Sequence, residues 1–196
     1  MAVYASTTTL EAVNEILLNA GLLPVNSLSS ATPDVEKAKA ILTSSSRQVQ
    51  SQGWSFNTDR NFKISPDATA DHIIIPLNAM SVDTVGESAA LEVTQRDGIL
   101  RKTNRIDGED PRVFDSAVYL DIVYYLPFEE IPQAARWYIT VKAARRFVDS
   151  YSASGTVHGF TREEEMYAHA DLMEDEGSVG DYNMLDTMSY VNRRSI

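Results

Sequence analysis

Residues Pro33 to Phe56 constrain the fold more than any other stretch of this chain. They predict one long helix with an abrupt aromatic stop. Thr32 is placed to cap it, and Pro33 suits the first helical position, where its missing N–H costs nothing. Val35, Ala38, Ile41 or Leu42, Ser45 and Val49 recur at three- and four-residue steps, giving one narrow apolar face. Such a helix would span roughly 30 Å. Gly53 is the natural terminator, since glycine takes the left-handed cap at little cost. Trp54 and Phe56 follow at strand spacing, so both rings are expected on one side, anchoring the helix end on what comes next. Gly53, Trp54 and Phe56 are therefore the expected hinge between domains. The polar side, Ser44 to Gln52, is uncharged apart from Arg47. A solvated face normally carries more Lys and Glu, so two readings stand: a plain surface helix, or a face set against another protein.

A length of 196 residues allows one domain with a real core, or one carrying an inserted second domain. The hydrophobic fraction of 43% is that of a globular protein. Cysteine is absent, which excludes disulfides and thiolate metal sites. The start, Met1-Ala2-Val3-Tyr4, has neither a basic segment nor an apolar run, so no signal peptide is expected. No apolar stretch approaches the ~20 residues of a membrane helix, and a soluble protein is expected. The net charge of -11 argues against tight, nonspecific binding to nucleic acid, which depends on neutralising phosphates. It leaves room for a surface past which DNA slides without sticking.

Taken in order, residues 1–7 read as a flexible start. Thr8-Thr9-Leu10-Glu11 is a capping box, and Leu10, Val13, Leu17 and Ala20 continue a helical stripe that Gly21 stops. The short link to the next helix suggests an antiparallel pair. After Phe56 the period turns alternating. Strands are expected at 61–64, 72–75 and 81–85, and Asp97-Gly98 marks a hairpin between 91–94 and 99–101. Ala117 to Leu126 is the strongest strand, rich in β-branched and aromatic residues. Pro132 opens a third helix, with Trp137, Val141, Ala144, Val148 and Tyr151 as its core stripe and Arg136, Lys142, Arg145 and Arg146 as a basic face, read as solvated ahead of the alternative of a binding face. Thr161-Arg162-Glu163-Glu164 is a second capping box, opening a fourth helix to about Glu176. The expected fold is α+β: a four-helix bundle (1–56 and 127–179), an inserted small antiparallel β domain (57–126), and an extended C-terminal arm (180–196).

Catalytic and metal motifs are scarce. There is no phosphate-cradling glycine loop, no glycine-flanked serine nucleophile and no paired-histidine zinc motif. Glu165 and His169 stand at i, i+4 without a third ligand, which reads as a surface pair. Glu163 with Asp171 could in principle serve a glycosidase, but acids are so abundant that chance proximity is expected. No cofactor is expected. From Arg162 to Asp186, nine acids stand against one arginine, which suits either solubility or a negative surface facing DNA or a basic partner. In the arm, Tyr182, Met184, Leu185, Met188, Tyr190 and Val191 have no helical stripe to join. Burying each on a partner is worth roughly 1.5–3 kcal/mol, and Arg193 and Arg194 are available for acidic groups there.

Several of these stretches together resemble the tail tubular protein A family, the head-to-tail adaptors of short-tailed bacteriophages (podoviruses). They are Glu11 to Leu17 with Gly21 and Pro24-Val25, Arg47 to Asn57, more loosely Pro127 to Phe147, then Glu163-Glu164-Glu165 and Tyr182-Asn183-Met184-Leu185-Asp186. The resemblance runs in order along nearly the whole chain, closest at Gln52-Gly53-Trp54 and Tyr182 to Asp186, and weakest over roughly 58–120. It implies a virion structural protein, not an enzyme. It further implies a dodecameric ring beneath the portal protein, with the nozzle (tail tubular protein B) below, tail fibres near that junction, and genomic DNA passing without specific binding. By the same resemblance the arm's partner is the portal or a neighbouring copy. The rival readings are an envelope polysaccharide hydrolase using carboxylates of the fourth helix, such as Glu163 and Glu165, and a scaffold or chaperone that leaves the particle.

Overall fold

The computed structural model describes residues 6–29, 32–104, 108–151 and 162–179. Four α-helices and five strands occur there, in the order α1 (Thr9–Asn19), α2 (Pro33–Gln50), β1 (Thr58–Ile64), β2 (Ala79–Thr84), β3 (Val93–Arg96), β4 (Ile99–Lys102), β5 (Val118–Tyr124), α3 (Gln133–Tyr151) and α4 (Arg162–Val179). The fold class is α+β, as the periodicities predict. Two compact units are present: residues 46–131, and the described parts of 1–45 and 132–196. The division falls inside α2, and the stretch read as the β insertion lies within the first of these units. The expected arm, 180–196, lies outside the described residues, as does most of the expected flexible start.

In the helical unit, α1 begins with the predicted capping box. The Thr8 N–H donates to the Glu11 carboxylate at 2.8 Å, and the Glu11 N–H donates to the Thr8 hydroxyl at 3.2 Å. Ala12, Val13, Ile16 and Leu17 form its buried face. α3 packs against both α1 and α4, so it buries a broad surface that includes Ala135, Ile139, Ala143 and Phe147. That breadth corrects the expected stripe. Val141, Ala144 and Val148 are buried, but Trp137 is 38% exposed, and Tyr138 is buried in its stead.

In the β unit, β5 is the centre of a three-stranded antiparallel sheet, between β1 and β2. Its alternation puts Val118, Leu120 and Ile122 into a core with Ile73, Ile75, Leu100 and Phe114. β3 and β4 form the hairpin predicted at Asp97-Gly98, where both residues have positive φ. The strand expected at 72–75 is instead two isolated bridges, His72 to Val113 and Ile74 to Ile99. Pairing is cut short by Pro76 on one side. On the other lies the turn in which Asp67 accepts the N–H groups of Thr69 and Ala70.

Among the described residues, three carboxylates are held below their ordinary pKa by hydrogen bonds: Glu11 by Thr8, Asp67 by the N–H groups of Ala70 and Thr69, and Asp110 by the Arg112 side chain. For each, the folded value lies below the unfolded one, so its contribution is present above about pH 4 and is lost as pH falls through the folded value. Denaturant melts should therefore weaken on acidification below about pH 4. Asp110→Asn should reduce that loss in the β unit, and an acid dependence identical in the variant would contradict its assignment.

Candidate functional site

The hinge residues of the sequence reading meet in a closed polar knot at the end of α2, wholly inside the β unit. Gln50 ends the helix fully buried. Its side-chain amide accepts from the Leu126 N–H at 2.8 Å and donates to the Leu126 carbonyl at 3.0 Å and the Ser46 hydroxyl at 2.9 Å. Asn57, 2% exposed, donates to the carbonyls of Gln50 at 2.9 Å and Tyr124 at 2.7 Å, and its oxygen accepts the Trp54 N–H at 2.9 Å. The Trp54 indole N–H turns back to the Val49 carbonyl at 2.8 Å. Two helix-end carbonyls, which also accept the N–H groups of Gln52 and Gly53, and the N–H and carbonyl of Leu126 after β5 thereby meet side chains instead of water.

Gly53 has φ +76°, and a Cβ there would lie 3.1 Å from the Val123 side chain. Both facts call for glycine. Trp54 and Phe56 do not continue as a strand; Ser55–Asn57 is a single 3-10 turn. Their rings nevertheless lie side by side, 6.5 Å apart and nearly parallel. The sequence reading named Gly53, Trp54 and Phe56 but missed Gln50 and Asn57. The available signal was an uncharged amide at the end of an otherwise apolar helix face. The uncharged polar run of α2 is thus partly explained within the chain: Ser45, Ser46 and Gln50 are buried, whereas Ser44, Arg47, Gln48, Ser51 and Gln52 are exposed.

The basic face of α3 is not simply solvated. Arg136 is buried and donates to the Thr7 carbonyl at 3.0 Å. Arg145 pairs with Glu165, and Arg146 donates to the Ser45 hydroxyl at 2.9 Å. His169 packs on the Tyr138 ring at 4.9 Å, and the Tyr138 phenol is pushed up by burial and then by the Glu165 charge. Glu165 is therefore occupied by Arg145, not poised beside His169 for a metal. No group of three His, Cys, Asp or Glu side chains that could hold a metal occurs among the described residues. Glu163 and Asp171 are both exposed. They stand eight residues apart on one helix, roughly 12 Å along its axis, beyond the ~9.5 Å at which two carboxyls share a glycosidic bond. No helix among the described residues is long and apolar enough to cross a membrane. Tyr182, Met184, Leu185, Met188, Tyr190, Val191, Arg193 and Arg194 lie outside the described residues.

The pattern of the tail tubular protein family matches residues 10–182, which takes in every element described and the whole α2 knot. The chain belongs to the tail tubular protein family. It is 29% identical over 167 residues to tail tubular protein A of Klebsiella phage KP34, a match covering 84% of this chain and 85% of that protein. It is a structural component of a bacteriophage tail, a virion protein and not an enzyme. That excludes the hydrolase reading of the α4 carboxylates. The expected resemblance is borne out at the level of the family.

The knot predicts a large cost for small changes. Gln50→Leu leaves the half-buried Leu126 N–H and carbonyl without their side-chain partner and should destabilise the β unit by about 1–3 kcal/mol. Trp54→Ala should cost about 3–5 kcal/mol, as for other large buried aromatics. Equilibrium denaturation checks both; a loss within experimental error for either would show that the knot does not hold this unit together.

Proposed function

We propose that this tail tubular protein is the head-to-tail adaptor of a short-tailed phage. It forms a dodecameric ring between the portal protein above and the nozzle below, with tail fibres attached near that junction, and lines part of the channel through which the genome leaves. The observation that carries the reading is the in-order match over residues 10–182, together with the similarity to a tail tubular protein A. The net charge of -11 supports it, because a mainly negative ring repels DNA phosphates and lets the genome slide. In this reading Gly53, Trp54 and Phe56 hold the end of α2 where the chain turns toward the first strand of the β unit.

The C-terminal arm is the proposed attachment to the portal or to a neighbouring copy. Tyr182, Met184, Leu185, Met188, Tyr190 and Val191 supply apolar contact, and Arg193 and Arg194 supply charge. Chain stopped after Val179 should remain folded with nearly unchanged helix content by circular dichroism. It should fail to bind portal or to assemble, leaving filled heads that leak DNA. Truncated protein that assembles on portals with unchanged affinity would overturn the role of the arm. Purified particles whose head–tail junction holds no ring of this chain would overturn the adaptor reading itself.

A further inference from the structure

Two unpartnered faces of this chain complement one another. The first is the outer side of the β3–β4 hairpin and the segment beside it. Ile74 is bridged to Ile99, Ile99 stands opposite Arg96, and Arg101 stands opposite Thr94, so these side chains share one face. The opposite face carries Leu100, which joins Ile73 and Ile75 in the core. Ile74 is 66% exposed and Leu77, beside Gly98 at the turn, is 90% exposed. Arg101 adds an unmet demand. Its Nε is buried without a hydrogen-bond partner, and among the described residues neither it nor Arg96 makes an ion pair.

The second face is the outer side of α4. Met166, Ala170 and Met173 recur at i, i+4 and i+7 and are exposed, with Tyr167 70% exposed beside them. Ala168 and Leu172 bury the opposite side. Glu163 and Glu174 flank the exposed stripe at helical spacing, and both are exposed. One face is thus apolar with two arginines, and the other is apolar with two glutamates.

We propose that the outer α4 face of one copy docks on the outer β3–β4 face of a second copy, Glu163 and Glu174 meeting Arg96 and Arg101 around an apolar centre of Met166, Tyr167, Ile74 and Leu77. Because the two faces are different surfaces of one chain, the contact is head-to-tail, the class of contact that builds a ring when its rotation closes. This inference rests on the ring reading above and assigns the faces that close it.

The chain has no cysteine, which makes cross-linking clean. Leu77→Cys with Met166→Cys in one full-length chain should give, on oxidation, a ladder of disulfide-linked species beyond the dimer. Either substitution alone should give none. In sedimentation, the pair Arg96→Glu with Arg101→Glu should raise the concentration for half-assembly about tenfold or more, and adding Glu163→Arg with Glu174→Arg should restore it. An oligomeric wild type whose double-cysteine form yields no ladder overturns this contact and leaves the ring reading standing. Dimers from Met166→Cys alone would show α4 meeting α4 and overturn it too. A wild type that is monomeric both in isolation and in purified tails overturns the ring reading, and this contact with it.

Discussion

The β unit depends on one buried amide. Gln50 closes both polar groups of the Leu126 peptide with its own side chain, and Asn57 closes the carbonyls of Gln50 and Tyr124. The Val49 and Gln50 carbonyls also accept the N–H groups of Gln52 and Gly53, so the side chains add a second bond to each, whereas the Leu126 N–H and carbonyl, just past the sheet, are met by Gln50. Each unpaired buried group costs about 1–3 kcal/mol, so satisfying several at one point outweighs the entropy of fixing two amide side chains. Gly53, at φ +76°, is what lets the chain reverse tightly enough for Asn57 to come back onto Gln50, and a Cβ there would also press on the Val123 side chain at 3.1 Å.

These bonds tie the stretch from Gln50 to Asn57 into one unit. Gln50, Gly53, Trp54 and Asn57 are not four independent choices. Loss of Gln50 takes the side-chain partner from the Leu126 N–H, and loss of Asn57 takes it from the Trp54 N–H. A side chain at Gly53 strains the turn, and loss of Trp54 removes the second of two bonds to the Val49 carbonyl. The sequence reading took the polar run of α2 as a possible external face because exposure and internal satisfaction look alike in composition. Only the three-dimensional return of residues 57 and 126 onto residue 50 distinguishes them.

Where the alternation of apolar residues answers to a single buried face, the fold was legible. Leu120 and Ile122 fall inside and Asp121 on the far side as the alternation requires, and the Asp97-Gly98 turn sets the register of β3 on β4. Legibility failed where two neighbours compete for one element. α3 is covered by both α1 and α4, so its buried surface is too wide for a one-stripe reading, and Trp137 was misplaced. Arg136 looked like a solvated charge because nothing local announces that the carbonyl of Thr7, far away in sequence, will receive it. Of the candidate interaction residues, those after Val179 were chosen from composition and resemblance. The complementary faces of α4 and the β3–β4 hairpin, by contrast, emerge only when exposure and register are combined.

Native-state hydrogen exchange tests the central claim most directly. The Leu126 N–H, the Trp54 N–H and the Trp54 indole N–H all end on the knot. If the knot holds the β unit together, they should exchange only with the opening that also frees the core amides of β5, with the same free energy and the same denaturant dependence. Exchange of these protons by a shallow local opening, while β5 stays protected, would contradict the claim and reduce the α2 end to a dispensable turn.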